Sequence, residues 1–281
     1  MTKIQHFILT RFNLRIWNQD KNGQSVRTDA WLEQRFDIFE KYCLPSVKNQ
    51  RCKDFEWIIL FDSETPARYK DRIKAFAKDC PQLTPIYVKP EYGSCFRQIF
   101  REVVVSRLKG NRVITTYLDN DDALNVDFVG DLQGRVKDIE DNTFVCYPDG
   151  LQYFTGIKLL LQVHYPANHF ISVVEPASAD AIKTVYGYGS HAYIGKIPGV
   201  KIEFVNDSLQ WCEVVHDRNM VNDAFFIRGA KMVTDGKVLK EKFSIDQVSE
   251  SGFSLYVFKF IPRYIKTFFR RAKGFVFGRK W

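Results

Sequence analysis

The stretch Val113–Asp122, VITTYLDNDD, joins an apolar, β-branched run to three carboxylates within four positions. The run Val113–Leu118 reads as a buried strand. Asp119, Asp121 and Asp122 follow it directly, so they fall at the strand's carboxyl end, where open α/β sheets bind ligands. Carboxylates this close repel one another unless a cation is held between them, and hard oxygen ligands select Mg²⁺ or Mn²⁺. A calcium hand is excluded: counted from Asp119, its glycine position is Leu124 and its final glutamate position is Gly130. A capped, solvated turn is the other reading of the same residues.

Upstream, strands and helices alternate. Gln5–Thr10 is a short apolar strand, and Arg15–Arg27 is a polar loop. From Asp29, apolar residues at Leu32, Phe36, Phe39 and Cys43 have helical spacing, with Thr28 or Asp29 as cap and Pro45 as terminator. Trp57–Phe61 is a continuous apolar strand, as expected where both sheet faces are covered. Thr65 and Pro66 open a helix that buries Tyr69, Ile73 and Phe76. Pro85–Val88 is a third strand, and Ser94 caps a helix with Phe96, Phe100, Val103 and Val104 inward. Such alternation predicts βαβ units and a mostly parallel, Rossmann-like central sheet with flanking helices.

Downstream the rhythm loosens. Asn125 begins a helix with Phe128, Val129, Leu132 and Val136 inward. Thr143–Tyr147 and Lys158–Val163 read as strands, with Pro148-Asp149-Gly150 as a turn. Residues 164–235 are rich in His, Gly, Tyr and Asn and read as strands and loops around a site.

Composition narrows the class. The 281 residues are 45% hydrophobic and 26% charged, which suits a folded protein and excludes disordered or collagen-like chains. The six cysteines never form C-x-x-C and read as reduced thiols. No apolar run is long enough to span a membrane, and the first residues lack the pattern of a secretion signal, so a cytoplasmic location is expected. The net charge of +8 resides in the tail: Lys259, Arg263, Lys266, Arg270, Arg271, Lys273, Arg279 and Lys280, with no acid from Tyr256 onward. A neutral body argues against a nucleic-acid partner. The basic, aromatic residues 256–281 suit an anionic membrane surface, with a packed helix bearing a solvated basic face as the alternative. The expected organisation is a body over residues 1–240, with halves 1–124 and 125–240, and a basic amphipathic extension over 241–281.

Four blocks resemble, in order, the inverting GT-A superfamily of nucleotide-sugar glycosyltransferases. They are FILTRFN (Phe7–Asn13), PSVKNQRCKDFEWIILFDSET (Pro45–Thr65), Gly93–Gly110 with Arg97, and Leu118–Asp122 at the place of the DXD metal motif. The segments WLEQRFDIFEKYCLPSVKNQ, LDNDDAL, HFISVVE and WCEVVHDRN are similar to a narrower bacterial family described as rhamnosyltransferases, with departures at Tyr117 and Asp217.

The resemblance implies a nucleoside-diphosphate-sugar donor, with dTDP or UDP as the nucleotide, and a glycan or lipid-linked glycan acceptor in bacterial surface-polysaccharide assembly on the inner membrane. It implies Asp121, Asp119 and His216 as metal ligands, with Asp122 orienting the loop. Thr10, Arg11, Asp62 and Arg97 would contact base and phosphates, against the alternative of surface ion pairs or solvated arginines. Glu175 is the expected base that takes the acceptor proton, with Glu213 and Asp207 in reserve, and His191 a second candidate for the chemistry. Trp211 and Tyr153 are candidates to stack on sugar rings, or ordinary core residues. A nucleotidyltransferase is the rival enzyme, although LTRFNLRIW lacks its glycine-rich phosphate loop. A catalytically inactive glycan- or membrane-binding scaffold is the rival of another class.

Overall fold

A computed structural model describes residues 4–19, 23, 25–26, 28–216 and 230–246. Asp217 and the basic residues 256–281 lie outside the described residues. In chain order the elements are β1 (Ile4–Arg11), α1 (Asp29–Ile38), α2 (Leu44–Lys48), β2 (Glu56–Asp62), α3 (Ala67–Asp79), β3 (Leu83–Val88), α4 (Phe96–Val105) and β4 (Arg112–Tyr117). There follow β5 (Ala123–Leu124), α5 (Phe128–Arg135), β6 (Thr143–Cys146), β7 (Asp149–Phe154), β8 (Leu159–His164), β9 (Ile171–Pro176), β10 (Lys201–Phe204), β11 (Trp211–Val215), β12 (Lys231–Met232) and α6 (Val238–Phe243). Among the described residues no helix is long and apolar enough to cross a membrane.

The main sheet has the order β10-β6-β9-β4-β1-β2-β3. β1, β2, β3 and β4 run parallel, and β9 runs antiparallel between β4 and β6. The chain leaves β1 toward β2 and β3, then returns to place β4 on the other side of β1. The strand order therefore reverses between β1 and β4, where a crevice opens beyond the strand ends. A second sheet, β12-β8-β7-β11-β5, joins the first through β5, which directly follows the acidic loop.

Alternation in β1 sends Phe7 and Leu9 to one apolar layer with α4, and Ile8 to the other with α1 and α3. The expected buried faces of α1, α3 and α4 are found: Leu32 and Phe36; Tyr69, Ile73 and Phe76; Phe96, Phe100 and Val104. Leu239, Phe243 and Ile245 are buried under the second sheet, so packed structure continues past residue 240.

Several local expectations are corrected. Pro45 does not end the first helix. The helix widens into a π turn over Phe39–Cys43 and resumes as α2 with Pro45 in its first turn, where a missing N–H is tolerated. Thr65 does not cap α3: its hydroxyl donates to the Asp62 carbonyl at 2.6 Å, and Pro66 takes the cap position. Ser94 lies in a 3₁₀ turn, Pro90–Cys95, ahead of α4. Asp149 and Gly150 are in β7 rather than a turn. A Cβ on Gly150 would lie 2.1 Å from the Trp211 indole, which is held by its Nε1–H on the Tyr147 carbonyl and stacks on Phe170 at 4.8 Å. Trp211 and Tyr153 are thus core residues, each 1% exposed.

Two measurements follow from this packing. Gly150→Ala should lower the thermal midpoint, because the fixed indole cannot yield; overpacking of this kind costs about 1–3 kcal/mol. The second concerns His6, buried beside Thr116, whose hydroxyl is 2.8 Å from the imidazole. Burial pushes its pKa from 6.5 to about 3. Between those values the unfolded chain binds a proton that the folded chain refuses, so stability falls as pH falls, by up to about 1.4 kcal/mol per pH unit. His6→Gln should flatten that acid slope in urea unfolding; an unchanged slope would assign it to other groups.

Candidate active site

The acidic loop is held by its asparagine. Asn120 donates through Nδ2 to the carbonyls of Arg11 at 2.8 Å and Phe12 at 3.2 Å, tying the end of β4 to the end of β1 across the reversal point. Each of the three carboxylates of the loop meets its own partners.

Asp119 accepts from the Tyr117 hydroxyl, which is 2.9 Å from both of its oxygens, and more distantly from Arg11 at 3.5 Å. Asp121 Oδ2 accepts from Arg35 Nη1 at 2.8 Å and faces His216 Nε2 at 3.1 Å. Burial alone would raise the Asp121 pKa, but Arg35 and His216 together hold it well below the usual carboxylate range. Asp122 is 3% exposed; it accepts from the Val214 N–H at 2.9 Å, and its other oxygen is 2.7 Å from His169 Nε2. Burial pushes the Asp122 carboxyl up, and although burial also opposes charge on His169, the carboxylate raises the imidazole above its ordinary value.

Asp119, Asp122 and His169 offer ligand atoms that all lie within 4.8 Å of one another. Two carboxylates and an imidazole form a donor set that suits Mn²⁺, and Mg²⁺ less well because of the nitrogen. The residues present therefore fit a divalent cation. The expected ligand set is divided: Asp119 belongs to the trio with His169, whereas Asp121 and His216 form a separate pair under Arg35.

Beside the loop is a cleft of about 440 Å³ whose lining includes Arg11, Trp17, Arg35, Arg97, Asp119 and His191. Arg11 rises from the end of β1 into a box of rings, with its guanidinium carbon 4.9 Å from the Phe96 centroid, 5.3 Å from Tyr186 and 5.8 Å from Trp17. Its buried Nε has no hydrogen-bond partner among the described residues. Arg97 is exposed at the rim, over the Phe96 ring. His191 begins a 3₁₀ turn and lies 5.7 Å from the His169 ring. Burial, helped by His169, lowers its pKa to about 4, so it is neutral at pH 7.

Glu175, Thr10 and Asp62 are not brought to this cleft, and His216 reaches it only through Asp121. Glu175 is fully buried, opposite Val113 at the start of β4, because β9 runs antiparallel and carries it to the far end of the sheet. Its carboxylate accepts from the N–H groups of Lys183 and Thr184 and from the Tyr188 hydroxyl, so it braces a turn. Thr10 points beneath the sheet and accepts from the Trp57 indole at 2.9 Å. Asp62 is bound by Arg15 at 2.8 Å and by the Glu64 N–H at 2.7 Å, outside the lining. Of the reserve bases, Asp207 pairs with Arg135, and Glu213 accepts from Gln152. Sequence reasoning did not single out His169 or Arg35, and it expected Asp122 to orient the loop rather than to join His169; His169 stands at the head of HFISVVE, which was the available signal.

At its reversal point the fold thus brings two carboxylates and an imidazole together beside Arg11, which is set among rings, in one cleft. The chain belongs to the family described as "Putative rhamnosyl transferase", whose model matches residues 8–227. Among solved structures it is similar to S. aureus TarS residues 1–349, at 10% identity over 75% of this chain and 60% of that one, with a TM-score of 0.42. The same TarS residues in complex with UDP match at 10% identity, with equal coverage and a TM-score of 0.43. S. aureus TarS matches at 9% identity, over 75% of this chain and 37% of that one, with a TM-score of 0.38. The chain thus spans less than two thirds of these neighbours. No curated protein sequence matches it.

Glu175→Gln tests the reassignment. Replacing an acceptor oxygen by an amide beside two N–H donors should lower stability by about 1–3 kcal/mol, read in chemical unfolding, and leave nucleotide binding unchanged. Loss of binding without loss of stability would return Glu175 to the site.

Proposed function

We propose that the chain is a GT-A-fold, metal-dependent, inverting glycosyltransferase that moves a sugar from a nucleoside-diphosphate sugar to a glycan acceptor. The observation that carries this reading is the Asp119–Asp122–His169 trio at the reversal point, which lines one cleft together with Arg11 and Arg97. A nucleoside diphosphate needs both features: cations for its phosphates and a ring-lined pocket for its base. Arg11, which lines the cleft, would take the diphosphate through its guanidinium charge, and Trp17 offers a half-exposed face for the base. When bound, a divalent cation stabilises the charge that develops on the leaving diphosphate.

His191 is the group we assign as base. As the acceptor oxygen attacks the anomeric carbon and the bond to the diphosphate breaks, the acceptor proton passes to its neutral imidazole. A pKa of about 4 makes it as basic as the carboxylate it replaces in this role. A second ligand assignment rests on the 3.1 Å Asp121–His216 contact, with the cation one residue further along the loop. The body then extends through α6, and the sequence of residues 256–281 supports docking on an anionic membrane, which suits a lipid-linked acceptor of bacterial surface polysaccharide.

Thermal shift with UDP and dTDP, each with and without Mn²⁺, tests the donor site. One nucleotide should stabilise the protein in a metal-dependent way, and Asp119→Asn and His169→Ala should remove the metal-dependent part. Retention in His169→Ala with loss in His216→Ala would select the second ligand assignment. His191→Gln should keep the shift and lower turnover by roughly 10²–10⁴-fold; full turnover would sink its role as base.

A further inference from the structure

Tyr117 is the last residue of β4, and its hydroxyl lies between Arg11 and Asp119. The hydroxyl receives a hydrogen bond from Arg11 Nη2 at 2.7 Å and donates to Asp119, 2.9 Å from each oxygen. Its ring packs edge-on to His169 at 5.7 Å and against Tyr186 at 4.7 Å. One side chain therefore touches the proposed diphosphate-binding guanidinium and two of the three proposed cation ligands.

The interposition has an energetic consequence. Arg11 and Asp119 approach no closer than 3.5 Å, and Asp119 keeps a third of its side chain exposed. Without the phenol, a guanidinium and a carboxylate at this separation would close into a bidentate pair, the stronger arrangement for these groups. Closure would use up the carboxylate that a metal needs and the N–H groups that a diphosphate needs. A neutral hydroxyl that accepts from one and donates to the other satisfies both while leaving their outward faces available. The ring contact with His169 fixes the third donor against the same side chain.

We propose that Tyr117 is the positioning residue of the donor site: its hydroxyl holds Arg11 and Asp119 apart and oriented, and so couples cation binding to diphosphate binding. This rests on the donor-site reading above. The test is Tyr117→Phe in the full chain, titrated calorimetrically with Mn²⁺ alone, with UDP and dTDP alone, and with each nucleotide at saturating Mn²⁺.

The wild-type protein should bind the nucleotide more tightly when Mn²⁺ is present. The variant should lose roughly 10–100-fold in Mn²⁺ affinity, as removal of a ligand's hydrogen-bond partner commonly does. It should also lose most of the metal's enhancement of nucleotide binding, with the thermal midpoint of the free protein little changed. In an Asp119→Asn background the same substitution should add little further loss, since Tyr117 acts through Asp119. A lowered midpoint with unchanged affinities and enhancement would make Tyr117 a packing residue and overturn the proposal. Unchanged affinities beside a wild type that does bind would overturn it equally while leaving the donor site standing. A wild type that binds neither Mn²⁺ nor nucleotide would remove both.

Discussion

Three carboxylates within four residues cannot be brought together in a half-buried loop without counter-charge or donors, and the rest of the site is arranged around that requirement. Asp119 is answered from within β4 by Tyr117 and from β1 by Arg11. Asp121 is answered from α1 by Arg35, and Asp122 from the segment before β9 by His169 and from β11 by the Val214 N–H. Each answer comes from a different part of the chain, so the loop acquires its shape only once the sheet order is established. Burial makes these pairings expensive to lose: a carboxylate deprived of its partner in such surroundings leaves an uncompensated charge behind.

The first half of the chain was largely legible because its signals are local. Apolar runs at β1, β2 and β4 need both faces of a sheet covered, and the helical spacing of Tyr69, Ile73 and Phe76 needs only one. The π turn at Phe39–Cys43 escaped because proline normally ends a helix, and nothing local announces a widened turn. The caps at Thr65 and Ser94 failed for a related reason: hydroxyl side chains have several backbone partners to choose from, and Thr65 chose Asp62.

The candidate site was legible where it lies along one strand end and obscure where it depends on strand direction. Glu175 and His169 flank the same apolar run, one at each end. Nothing in HFISVVE says whether that run is parallel or antiparallel to β4, and the antiparallel arrangement brings His169 to the loop and takes Glu175 away. Thr10 fails by alternation: one step along β1 moves a side chain from one face of the sheet to the other, and its hydroxyl ends on the Trp57 indole.

The proposed cation ligands also make the second sheet part of the candidate site. β5 pairs with β11 only at Trp211 and Cys212, so the Val214 N–H extends beyond the ladder as an edge donor. Asp122 takes it, in place of a strand. The same carboxylate meets His169, which leads into β9 of the main sheet. Its two oxygens therefore measure the gap between the sheets, and any slip of one against the other must alter the separation of the proposed ligands. Gly150, by letting Trp211 lie flat against β7 at the root of β11, fixes that gap from below. A residue with no ligand contact and no charge thereby belongs to the geometry of the site. The small sheet, which looks like an appendage in the strand order, thus joins Asn120 in holding the acidic loop.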